Sequence, residues 1–147
     1  MKTPIKYEGF GFPILLRGVK YKTEGKHKYP EIPHQQVAKA LFIAVLKKPD
    51  PLTGAELKFL RKYLDLNQTA FAKLIGSPNH VNIVQWEAKD QGPTLMQQQS
   101  ELLARIKIVM EYAKREIRFA EYYRDLVKDG LDENKSDLLE IDIRDVA

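Results

Sequence analysis

The sequence predicts a mainly α-helical protein: a helix-turn-helix domain, preceded by a small N-terminal antiparallel β-hairpin or sheet plus a helix, and followed by a long C-terminal helix. Three observations carry that expectation. Residues 53–87 hold two short helical patterns that meet at a tight turn. Residues 94–128 place apolar side chains at alternating three- and four-residue steps. Gly9, Gly11, Gly18, Gly25, Pro13, Pro30 and Pro33 break any helix at the start of the chain and leave extended segments joined by turns.

Taken in order, residues 12–16 and 19–23 read as short strands, and residues 26–29 as a third after a turn at Glu24-Gly25. Residues 34–48 carry Val37, Leu41, Ala44 and Val45 at helical spacing, and Pro49 stops that helix. Pro49-Asp50-Pro51 marks a module boundary, so residues 1–48 form one unit and residues 51–115 the next. Thr53 and Glu56 have capping-box spacing, and the helix they open buries Leu57, Leu60, Tyr63 and Leu64. Asn67 caps the following helix, which turns Phe71, Ala72 and Leu74 inward and stops at Gly76. Ser77-Pro78-Asn79 opens another over about residues 78–87, with Pro78 tolerated in its first turn.

After Gln91-Gly92-Pro93, Thr94 is the expected cap of a long helix reaching Lys128 and ending at Asp129-Gly130. Leu103, Ile106, Met110, Ala113, Ile117, Ala120, Arg124 and Val127 make a seam along it. The first half, residues 102–113, is expected to pack on the protein's own body. Residues 116–130 extend beyond it, where Ile117, Phe119, Ala120, Tyr122, Tyr123 and Val127 need either a partner subunit or the N-terminal sheet as cover. A partner subunit, and so a homodimer, is the favoured cover. The acidic tail, residues 131–147, alternates Leu139, Ile141 and Ile143 with Glu140, Asp142 and Arg144, a pattern that fits an edge strand, while its composition fits disorder equally well.

Composition excludes several functions. With no cysteine there is no thiol nucleophile, disulfide or thiolate metal site. His27, His34 and His80 lack the spacing of paired ligands on one helix face, so neither a metal nor a cofactor is expected. No apolar run reaches the ~18 residues that cross a bilayer, and Met1-Lys2-Thr3-Pro4 has no signal-peptide core. A cytoplasmic protein without a membrane partner is the expectation. The net charge of +4 is unevenly spread: from Asp132 onward six acids face two bases, which leaves +8 on the rest. A basic body suits a polyanion such as nucleic acid, and serves solubility alone equally well.

Phe59-Leu60-Arg61, Leu66-Asn67-Gln68-Thr69-Ala70-Phe71-Ala72, Leu74-Ile75-Gly76, Ile83 and Gln85-Trp86-Glu87 together resemble the lambda-repressor-like helix-turn-helix domain of the XRE family of regulators. The resemblance covers residues 52–92 and the start of the helix that follows. It implies a transcription regulator, repressor or activator, whose second helix enters the major groove. Base edges there are told apart by polar side chains at that helix's exposed start, here Asn79, His80, Asn82 and Gln85. Gln85 and Asn82 each have the amide that matches adenine in two points. Gln68 matches the family position that holds the DNA backbone and braces the reading helix, and Glu87 is expected to tie that helix to the body. Lys73 and Lys89 flank it, where each can either meet a phosphate or simply be solvated. Between Gly76 and Glu87 the chain has one residue more than the usual family spacing, which shifts the register of Asn79 and His80.

Lys20, Lys22, Lys26 and Lys28, interleaved with Tyr21 and Tyr29, give the hairpin a basic face that either grips nucleic acid or simply guards an edge against aggregation. Strands and a helix ahead of such a domain also resemble a subgroup of regulators associated with toxin and antitoxin operons. The competing function is therefore an antitoxin or adaptor that binds a toxin or other protein. An enzyme is not expected, because Ser77 and His80 have no acid placed to orient the imidazole.

Overall fold

The computed structural model describes residues 3–115, 124–128 and 138–146. The chain forms β1 (Ile5–Tyr7), β2 (Ile14–Arg17), β3 (Lys20–Glu24), β4 (His27–Glu31), α1 (His34–Lys47), α2 (Gly54–Tyr63), α3 (Gln68–Ile75), α4 (His80–Glu87), α5 (Gln98–Arg115), β5 (Glu140–Asp142) and a 3-10 turn (Ile143–Val146). The expectation of a mainly α, lambda-repressor-like fold is corrected. With 52% helix, 18% strand and five strands in two small sheets, the architecture is mixed α/β.

Two pairings account for the difference. Ile5–Tyr7, which carries no strong local strand signal, pairs antiparallel with β2 in the register Ile5↔Leu16. On the other side of β2 lies β5, paired in parallel with Leu16 opposite Ile141. The sheet order is β1-β2-β5, so α1 to α5 lie in sequence between two parallel neighbours. Alternation along β2 turns Ile14 and Leu16 inward, both with no exposure, and Ile141 and Ile143 join them from the C-terminal side. Arg17 and Glu140 pair across the same two strands. β3 and β4 form a separate hairpin from Lys20↔Glu31 to Glu24↔His27, and every residue in it is exposed.

One apolar cluster runs through the described residues, from Phe12 in the N-terminal segment to Ile143 near the C-terminus. Phe59 of α2 meets Phe10 and Phe12 edge-on, with centroids 5.7 and 5.6 Å away, and Tyr63 stacks on Phe42 of α1 at 4.3 Å. Those contacts seat α2 against both the sheet loop and α1.

Buried charge finishes the junction at Pro49-Asp50-Pro51. Arg105 of α5, only 1% exposed, donates to the carbonyls of Leu46, Lys48 and Asp50 and pairs with Glu101 at 3.0 Å. Glu101 in turn accepts the Leu52 amide at 2.9 Å. Lys48 reaches Glu56 at 2.6 Å, and the capping box of Thr53 and Glu56 is complete. This network fixes where α2 starts, since a paired and hydrogen-bonded buried charge is costly to displace.

Two helix assignments are also corrected. Thr94 does not cap α5: its hydroxyl accepts the Met96 amide, and the helix opens only at Gln98. The face of α5 turned to the body is Glu101, Ala104, Arg105, Ile108, Val109 and Tyr112. Leu103, Ile106 and Met110 of the expected seam stay exposed at 49, 41 and 51%. The continuation through residues 116–123, with Ile117, Phe119, Ala120, Tyr122 and Tyr123, and the end at Asp129-Gly130 lie outside the described residues. Residues 124–128 are helical, and Lys47 holds Asp125 there at 2.5 Å.

Candidate nucleic-acid interface

The candidate site is the pair α3 and α4. Asn67 caps α3 through the Ala70 amide at 2.7 Å. Gly76 ends it in the left-handed region at φ 81, where a side chain would be strained, and the Ser77 amide closes the turn on the Ala72 carbonyl at 2.8 Å. α4 begins at His80, later than the sequence suggested: Pro78 lies ahead of the helix and Asn79 is its cap. Phe71, Ala72 and Ile75 on α3 and Ile83 on α4 fill the angle between the two helices.

Three contacts lock α4 onto the body. The Arg61 guanidinium of α2 grips Glu87 side-on through one edge, Nε to Oε2 at 2.7 Å and a terminal nitrogen to Oε1 at 2.9 Å. Arg61 also donates to the Leu66 carbonyl at 3.0 Å, and Gln68 Nε2 donates to Glu87 Oε1 at 3.3 Å. Glu87 and Arg61 side chains are 6% and 12% exposed, so little solvent screens the pair. Gly54 supplies the third contact by close approach. A Cβ there would lie 2.4 Å from the Trp86 carbonyl oxygen, and Ala55 donates to the Asp90 carbonyl at 2.8 Å. The first turn of α2 thus abuts the last turn of α4.

With Ile83 turned to the core and Trp86 packed against it, α4 presents His80, Val81, Val84, Gln85 and Ala88 outward. Val81 and Val84 are 46% and 43% exposed. Asn82 lies on the flank, where its Nδ2 donates to the Ser77 hydroxyl at 3.2 Å. Asn79 spends its carbonyl oxygen on the Val81 and Asn82 amides at 3.0 and 3.4 Å. Of the amide side chains expected at bases, Gln85 alone stands on the outward face, while Asn79 and Asn82 build the turn. Lys73 and Lys89 are exposed, one at the end of α3 and one just past α4. The sequence reading missed a third lysine, Lys107 of α5, whose Nζ would lie 2.8 Å from a Cβ at Gly76. It also missed the partner of Glu87, because nothing local marks Arg61 as reaching a residue 26 positions away.

No group of three metal-ligating side chains occurs among the described residues, and no described helix is long and apolar enough to cross a membrane. No known family, curated protein or solved structure matches the chain.

Proposed function

We propose that this protein is a transcription regulator that binds double-stranded DNA sequence-specifically, inserting α4 into the major groove. The observation that carries this reading is the combination of an exposed Gln85 with a helix held rigidly by Arg61, Glu87 and Gln68. A short helix with a fixed axis and a free amide on its outer face is what base-edge readout requires. Lysines at both ends of the pair supply phosphate contacts, and the ion pair removes the repulsion Glu87 would otherwise exert. The resemblance of residues 52–92 to XRE regulators belongs to the same proposal.

The protein acts in the cytoplasm as a homodimer. Leu103, Ile106 and Met110 form an exposed apolar line at steps of three and four on α5, suited to an antiparallel copy of itself across a twofold axis. Selection of bound sites from random duplexes tests both halves. A palindrome with half-sites about one helical turn apart, ~34 Å, is the expected product. Recovery of no preferred sequence contradicts the reading.

A second reading is favoured by the hairpin β3–β4, whose strands are exposed over their whole length. An isolated two-stranded ribbon is marginal in water and gains from a partner. An antitoxin or adaptor using this ribbon would co-purify with one protein and bind DNA only non-specifically.

A further inference from the structure

Val81 and Val84 are large apolar side chains on the outer face of a helix whose inner face already supplies its share of the core. They stand one turn apart on the same outward face as Gln85, so a ligand that engages Gln85 there also covers them. Two valines are far too small a patch for a protein interface, which buries on the order of 800 Å² per partner. Their setting is cationic: Lys73, Lys89 and Lys107 lie around the helix pair, and the nearest carboxylate on α4, Glu87, is neutralised by Arg61.

We propose that Val81 and Val84 read the 5-methyl groups of thymine, so that the sites bound through α4 are built on A·T pairs. This inference rests on α4 entering the major groove, and it specifies what the helix recognises there. Thymine alone presents a methyl group in that groove, and apolar contact is how a protein detects it. A β-branched residue in a helix has one strongly preferred rotamer, so each valine offers its methyls in a fixed direction at little entropic cost. Side chains three apart on a helix are about 5–6 Å from each other, against a base-pair rise of about 3.4 Å, which puts the two thymines one or two steps apart. Gln85 beside them matches the N6 and N7 edge of adenine. The commonest guanine contact needs an arginine or lysine, and α4 contains neither.

The experiment starts from the duplex most enriched by selection and replaces each thymine in turn by deoxyuridine, which removes the methyl group and leaves every hydrogen-bonding edge intact. Binding to wild-type protein, Val81→Ala and Val84→Ala is then compared by titration. Wild-type affinity is expected to fall about fourfold at each thymine that faces a valine. Each alanine variant, exposed and compatible with a helix, is expected to lose sensitivity at its own thymine only. A preferred duplex bound equally well after every deoxyuridine replacement overturns the methyl-reading inference and leaves DNA reading intact. Absence of any preferred duplex overturns both.

Discussion

Arg61 and Glu87 form a two-pronged ion pair that joins the middle of the molecule to the last residue of α4, with contacts of 2.7 and 2.9 Å. Because both side chains are nearly buried, each is indispensable to the other. Removing one leaves the other a nearly buried charge without its counter-ion, at a cost of about 3–5 kcal/mol. Arg61→Ala and Glu87→Ala are each expected to lower unfolding stability by that amount in denaturant titration. The double variant Arg61→Met with Glu87→Leu is expected to cost clearly less than the two single losses combined, since apolar replacement of both partners avoids the orphaned charge. Single variants within about 0.5 kcal/mol of wild type, the range of ordinary surface changes, contradict the bracing role.

The exposed line on α5 leads to a second expectation. Ile106→Glu puts a charge at its centre, next to Leu103 and Met110 one turn to either side. Sedimentation equilibrium is expected to show a dimer for wild type and a monomer for the variant, with monomer stability shifted by no more than about 0.5 kcal/mol. A wild-type monomer, or a variant that still dimerises, removes this surface from the account.

Acid should act on the C-terminal strand. Hydrogen bonds from Arg144 hold the Asp142 carboxyl down at about 2, against an ordinary 3.8. A carboxylate whose pKa is depressed in the folded state contributes stability that is complete above 3.8 and is lost as pH falls through about 2. NMR titration of Asp142 is therefore expected to give a midpoint near 2, while a midpoint near 3.8 means that the pairing with Arg144 is absent in solution.

How far the sequence could be read depended on how local the chemistry was. Thr53 with Glu56, Asn67 and Gly76 act within a few residues of themselves, and the structure shows all three features. The mixed α/β architecture was out of reach because it depends on β5 finding β2, a pairing that brings together Arg17 and Glu140, 123 positions apart. The inner face of α5 is hidden in the sequence for a different reason. Glu101 and Arg105 look like solvent residues, so an apolar count passed over the buried face they belong to and chose the exposed one. The preference of proline for a first turn points to Pro78 inside α4, whereas Asn79 caps the helix one residue later. Within the candidate site, the outward position of Gln85 follows from Ile83 and Trp86 taking the inward side. The diversion of Asn82 to the Ser77 hydroxyl depends on the geometry of the turn, and no spacing rule reveals it.

Sequence-specific binding through α4 requires that Gln85 distinguish bases. The most direct measurement is the ratio of affinities for the selected duplex and a scrambled one, for wild type and for Gln85→Ala, at a single stated salt concentration. The variant is expected to fold with unchanged stability while its ratio collapses by about tenfold or more, within the range of about 1–3 kcal/mol carried by a two-point base contact. A ratio that does not change when Gln85 is lost would contradict it.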